Sequence, residues 1–151
     1  VVSVTNRGAT PNSEFVVKRP RVDDIVIFGE TYMRRYHLIN NRKFGIRLHH
    51  IRLPDYGREL HDHPFDFVSI VLKGWYIEKL MDAPQRVMHG FGRPHYRKAE
   101  TSHVITDVSK NGVWTLVFRG PIRRRWGFWQ SQNKKMKWVP HSQYEPKEGT
   151  S

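Results

Sequence analysis

The chain of 151 residues contains no cysteine. That excludes disulfides, thiolate metal sites and a thiol nucleophile, so any metal must be held by His, Asp or Glu. The lack of disulfides fits a reducing compartment, and a cytoplasmic location is expected. No run of about 18 apolar residues occurs, so no membrane-spanning helix is expected. Heptads, long helical stretches and internal repeats are also missing. The opening Val1-Val2-Ser3-Val4 has neither an initiator methionine nor a charged-then-apolar leader pattern, so the numbering is expected to begin inside a longer or processed chain. Acidic residues are few: 14 Asp and Glu face 26 Lys and Arg, for a net charge of +12. Such an excess suits acidic partners, namely nucleic acid, phosphorylated small molecules or an acidic protein surface, or is simply a basic surface.

Aromatic residues, by contrast, are plentiful at 13%. They favour strands and dominate core energetics, and a disordered chain would be poor in them. Short apolar runs separated by Gly, Pro and Asn turns predict an all-β sandwich or barrel. Residues 1–20 read as an N-terminal arm, with Val16–Pro20 a candidate edge strand. Residues 21–144 form the single domain, and 145–151 read as a flexible tail. Ile25–Phe28 is a predicted strand, whereas Glu30–Asn41 is compatible with a short helix or a strand. Predicted strands follow at 44–53, 60–65 and 67–72, the last forming a hairpin with 75–80. Residues 82–95 read as loop. Further strands are predicted at 96–99, 103–108 and 113–119, the last two joined as a hairpin by Asn111-Gly112. A closing hairpin is expected from Trp126–Trp129 and Met136–Val139.

The stretch that carries chemistry is Gly57-Arg-Glu-Leu-His61-Asp-His63-Pro-Phe-Asp66-Phe-Val-Ser-Ile-Val-Leu-Lys-Gly74. In an extended segment, residues i and i+2 share a face, so His61 and His63 aim two imidazoles at one point. A third ligand must come from elsewhere, and His103, opening a later strand, is placed to supply it. Asp62, of opposite parity, is expected to be a surface or loop carboxylate.

These residues resemble the cupin family. Its first motif, glycine, His-x-His and a later glycine, is matched by Gly57, His61, His63 and Gly74. Its second motif is matched more loosely by residues 97–107 around His103. The wording His-Asp-His-Pro-x-Asp-Phe, with Gly-Trp-Tyr-Ile-Glu and Trp-Gly-Phe-Trp further on, looks like small uncharacterised phage and bacterial cupins. The resemblance implies a jelly-roll barrel with a divalent metal on His61, His63 and His103. Fe(II) is the first expectation, with Zn, Mn or Ni as alternatives. The family's usual glutamate is replaced by Phe67 or Val68. Asp66 becomes a fourth ligand if a bulge after Pro64 turns it inward, and otherwise a partner of a histidine ring. Without it the centre has three histidines, similar to thiol dioxygenases, and leaves positions open for dioxygen and substrate.

Around that centre, Tyr76 and Tyr96 are candidate acid–base residues. Arg47, Arg52 and Ser69 are candidate substrate-binding residues, an inward guanidinium being suited to a carboxylate or phosphate. One of His49 and His50 can face the barrel, and Glu78 is a candidate lining residue. His89, His95 and His141 receive no role. Trp126, Phe128, Trp129 and Trp138 are expected to plug the barrel or form a subunit interface. The run Arg123-Arg124-Arg125 is either solvated charge or a grip for a phosphate backbone. The expected function is a mononuclear iron oxygenase acting on a small polar or anionic substrate. Sugar isomerase or epimerase chemistry is the first alternative, and a non-catalytic binding or phage module the second. A homodimer is expected; nucleic acid is a partner considered but not favoured.

Overall fold

The computed structural model describes residues 20–55, 59–83, 85–132 and 135–145. The candidate edge strand at 16–19, Gly57 and nearly all of the tail lie outside them. Among the described residues eleven strands follow in order: β1 (Arg21–Ile27), β2 (Glu30–Asn40), β3 (Gly45–Ile51), β4 (Phe67–Lys73), β5 (Tyr76–Leu80), β6 (Arg86–His89), β7 (Pro94–Arg97), β8 (His103–Val108), β9 (Val113–Arg119), β10 (Gly127–Gln132) and β11 (Lys135–Pro140). A single 3-10 turn, His141–Gln143, ends the described chain. The segment open to two readings, 30–41, is therefore a strand. Among the described residues there is no α-helix, and none long and apolar enough to cross a membrane.

Six strands form an antiparallel sheet in the order β1-β2-β3-β9-β4-β7, and β6-β5-β8 form a second. Paired residues on neighbouring antiparallel strands share a face. The register of the large sheet thus runs Arg35–His49–Thr115–Val71 as one inward row, and His37–Arg47–Val117–Ser69–His95 as the next. The small sheet faces these rows with Tyr76 and Ile105. Tyr32, Met33, Ile51, Val71, Tyr76, Ile105 and Val113 make the main apolar core. Phe65, Phe67 and Val117 make a second, smaller cluster.

Two expected hairpins do not form. β4 and β5 lie in different sheets, and so do β8 and β9. The turns at Gly74 and Asn111-Gly112 instead carry the chain from one sheet to the other. Gly74 and Gly112 have φ of 81° and 74°, which side chains rarely tolerate. A Cβ on Gly74 would lie 2.7 Å from the Gly112 carbonyl oxygen. Ser109 closes the two turns together, donating to that oxygen at 2.6 Å and accepting from the Trp75 N–H at 3.2 Å. A turn signal alone does not say which sheet the next strand joins.

Two further expectations change. Residues 60–65 are not a strand: the N–H groups of His61, Asp62 and His63 bond the carbonyls of His103, Gly127 and Ala99 in turn. Three successive residues tied to three separate segments cannot form a ladder. Residues 82–95, read as loop, contain β6 and the start of β7. The expected closing hairpin is present as β10–β11.

Candidate metal centre and its cavity

His61 and His103 exchange backbone hydrogen bonds at 3.0 and 2.9 Å, which fixes one histidine against the other. The three imidazoles then converge, with centroids 4.9 Å (His61–His103), 5.0 Å (His63–His103) and 5.3 Å (His61–His63) apart. One nitrogen from each falls within 4.8 Å of the others. His63 Nε2 and His103 Nε2 are 2.8 Å apart.

The supports of this cluster come from the chain around it. Asp62 does point away from the imidazoles, as its parity requires, but it is buried rather than at the surface. The β10–β11 hairpin covers that side. The Asp62 carboxylate accepts from the Gly127 N–H at 2.7 Å and Trp138 Nε1 at 3.0 Å, and pairs with Arg124 at 2.8 Å. Arg124 also donates to the His63 carbonyl at 3.2 Å. Phe128 packs against His61 with centroids 5.6 Å apart. Phe128 of the aromatic run thus backs His61, while Trp126 of the same run lines the cavity.

Glu78 is wholly buried on β5. One carboxylate oxygen faces His103 Nδ1 at 2.7 Å; the other faces His89 Nε2 at 2.6 Å and also takes Arg97 Nη2. When His103 Nδ1–H donates to Glu78, its Nε2 keeps the lone pair that a metal needs. The donor set therefore fits a divalent first-row metal: three imidazoles, one with its tautomer fixed, facing a cavity.

Glu78, His89 and His95 form a second group whose ligand atoms lie within 4.8 Å. His95 Nε2 is 2.7 Å from Tyr76 Oη. Burial lowers the pKa of both histidines, that of His95 to about 4, and raises the Tyr76 phenol well above its ordinary value. These rings are neutral at pH 7, so the phenol donates to His95. Arg97 already brings a positive charge onto the Glu78 carboxylate, so a second cation here would be repelled.

The cavity above the three histidines has a volume of about 290 Å³. It is lined by His61, His63 and His103, by the candidates Arg47, Ser69 and Tyr76, and by Arg35, His49, Phe67 and Trp126 among others. His49, not His50, is the inward histidine of its pair. Phe67 stands edge-on to His63 at 4.9 Å, at a position considered for the family glutamate.

Three candidates lie outside the cavity. Asp66 accepts from the Ala99 N–H at 2.7 Å and pairs with Arg123 at 2.6 Å. Arg123, then the Ala99 N–H, holds its carboxyl below the ordinary range. No bulge turns it inward, because these partners hold it on the outside. Tyr96 is 54% exposed, since its neighbour His95 takes the inward position on β7. Arg52 is exposed just beyond β3, of the same parity as His50. Arg123 and Arg124 are engaged in ion pairs, with Asp66, Glu100 and Asp62, rather than simply solvated.

Sequence reasoning missed Arg35, whose face was hidden while 30–41 could be a helix or a strand. It also missed His89 and His95, which were assigned to a loop. The β2–β3 register, once assumed, would have placed Arg35 beside His49.

No family model matches the chain, and no curated protein does. Solved structures do. A cupin 2 conserved barrel domain protein from Rhodopseudomonas palustris superposes with a TM-score of 0.59 at 13% identity, covering 74% of this chain and 79% of that one. A DMSP lyase structure gives 0.58 at 15%, covering 74% and 63%. A putative mannose-6-phosphate isomerase from Ralstonia eutropha JMP134 gives 0.54 at 13%, covering 76% and 99%. The matched part of the DMSP lyase is thus less than two thirds of its length, and the same holds for Fe(II) HppE at 64%.

Proposed function

The chain is built on the cupin barrel, and from that premise we propose that it is a mononuclear metalloenzyme acting on a small polar or anionic molecule. The observation that carries this is the convergence of His61, His63 and His103 on the floor of a cavity of about 290 Å³. When bound, a divalent metal supplies Lewis acidity and, if it is iron, redox chemistry at the positions three imidazoles leave open. The protein's own part is to hold the histidines and to limit access of water. Asp62 and Arg124 fix the backbone of the His-x-His segment, and Glu78 fixes His103. Phe65, Phe67, Ile51 and Val117 give the cavity apolar walls, which strengthen every charge interaction inside.

Oxygenase chemistry on Fe(II) is our first reading, supported by the three-histidine donor set and by the Fe(II) HppE neighbour. Isomerase chemistry is the second. Tyr76 reaches the cavity with its phenol on His95, an arrangement suited to moving a proton, and one neighbour carries a sugar-phosphate isomerase name. Metal analysis of the purified protein tests the proposal. One equivalent of iron, lost on replacing His61 and His63 by Ala, supports the oxygenase reading; zinc or manganese moves it toward isomerisation. No uptake of any first-row metal leaves a non-catalytic binding module. The same reading carries a homodimer, for which β1 is a sheet edge among the described residues; light scattering at micromolar concentration checks it.

A further inference from the structure

The cavity has a second feature that the metal does not use. Arg47 lines it from β3. Its guanidinium does not serve the histidine centre, because a cation there is repelled by a positive charge in the same cavity. The fold gives it no polar partner either. Arg47 makes no hydrogen bond or ion pair to any described residue, and its Nε is buried without a partner. Asp23 favours the Arg47 cation without pairing with it, since the Asp23 carboxylate is held by His37 Nε2 at 2.7 Å and Arg21 Nε at 2.9 Å. Burial, then Arg35 and Arg119, pulls the Arg47 pKa down to about 10, which leaves it charged at neutral pH. The guanidinium lies over the Phe65 ring, 5.1 Å from its centroid, and His63 stacks on the same ring at 6.2 Å. Phe65, Phe67, Ile51 and Val117 make the surrounding wall apolar. A charge kept in such a place with an N–H unmet is costly until something pairs with it.

We propose that Arg47 anchors the carboxylate of a small carboxylic-acid substrate, whose other polar end reaches the histidine centre past Phe65. The inference rests on reading this cavity as the substrate site, and it names the substrate class. The edge of a guanidinium that includes Nε presents two parallel N–H groups, which match the two oxygens of a planar carboxylate. The unmet Nε–H of Arg47 belongs to that edge. With the guanidinium over the face of Phe65, a planar group fits along the edge beside the ring. A tetrahedral anion on the same edge sends a further oxygen out of that plane, toward the negative face of the ring. Phe65 touches both the guanidinium and His63, so few atoms are needed between the carboxylate and the group that reaches the histidines. A cavity of about 290 Å³ lies at the lower end of ligand pockets, about 300–1,000 Å³, and holds a small molecule.

The test uses the full chain, stripped of metal with EDTA and dialysed, at pH 7.5 and constant ionic strength. Propionate, propionamide and inorganic phosphate are titrated into it and followed by NMR, which reads millimolar affinities. Propionate should bind with a Kd of about 10 mM or tighter. Propionamide, the same shape without the charge, should bind about tenfold or more weakly, and phosphate more weakly than propionate. Arg47→Met should cost about tenfold or more in propionate affinity, while Arg125→Met, an exposed control, should cost nothing. Arg47→Lys, which keeps the charge but not the paired donors, should fall between. It also stands in for Arg47→Met if that variant does not fold. Propionamide or phosphate binding as tightly as propionate, undiminished propionate binding in the Arg47 variants, or no propionate binding up to about 50 mM would each overturn the proposal. Because the titration is metal-free, it separates from the metal reading. Metal uptake without propionate binding sinks the carboxylate site alone, and Arg47-dependent propionate binding in a protein that takes up no metal supports that site while sinking the metal reading.

Discussion

Two clusters in this barrel contain three metal-ligand side chains each, and they are built in opposite ways. His61, His63 and His103 face a cavity with no acid among its described lining residues, and the Glu78 carboxylate stands behind them, on His103 Nδ1. Glu78, His89 and His95 are packed beside them, with Arg97 donating to the carboxylate and Tyr76 on His95. The first leaves room for a cation, with two imidazole nitrogens 2.8 Å apart, a separation that a shared proton or a cation between them satisfies. The second is already neutralised by a guanidinium. Ligand type and proximity are therefore insufficient to mark a metal site; what else touches the carboxylate decides. Glu78 belongs to the second cluster and bonds His103 of the first, which makes the second a support for the first.

The largest expected effect separates the two. Replacing His61, His63 or His103 by Ala should abolish stoichiometric metal uptake, while His89→Ala and His95→Ala should retain one equivalent; metal analysis of each variant checks this. Next is the shared carboxylate. Glu78→Ala leaves Arg97 buried without its anion and should destabilise the protein by about 3–5 kcal/mol, measured by denaturant unfolding. Glu78→Gln should fold better yet bind metal about 10–100-fold more weakly, because His103 loses its orienting anion. Competition with a chelator reads that affinity, and an unchanged value would separate Glu78 from the metal centre.

The predominance of strands was legible because alternation is local: one strand suffices to put Arg47 with His49. The same i, i+2 spacing pairs His61 with His63, although residues 60–65 form no strand. The sheet partners were not legible. Asn111-Gly112 signals a turn whether its flanking strands pair or part; in the fold that turn packs against Gly74, and the strands part to different sheets. Burial by distant chain was likewise hidden. Asp62 has the outward parity of a surface residue, yet a hairpin more than 60 residues later covers it. Glu78 could be read as lining the barrel, but its partners His89 and Arg97 flank a stretch whose Gly and Pro content suggested loop.

Smaller effects sharpen the comparison further. His95 titrates near 4 in the folded protein and near 6.5 when unfolded. Between those values the unfolded chain binds the extra proton, so stability falls as pH drops from about 6.5 to about 4 and levels off below. His95→Asn should remove up to about 1.4 kcal/mol per pH unit of that slope, read from unfolding curves at several pH values. Smallest of all, Asp66→Asn should leave metal affinity unchanged and cost at most about 1 kcal/mol, since its Arg123 pair is exposed. A tenfold loss of metal in that variant would restore Asp66 to the site.

The central claim is the location of the metal, and anomalous diffraction from crystals of the metal-loaded protein tests it most directly. The account predicts one strong peak, with nitrogens of His61, His63 and His103 at about 2.0–2.2 Å and no peak between Glu78, His89 and His95. A peak within the second group, or none near His63, would contradict it.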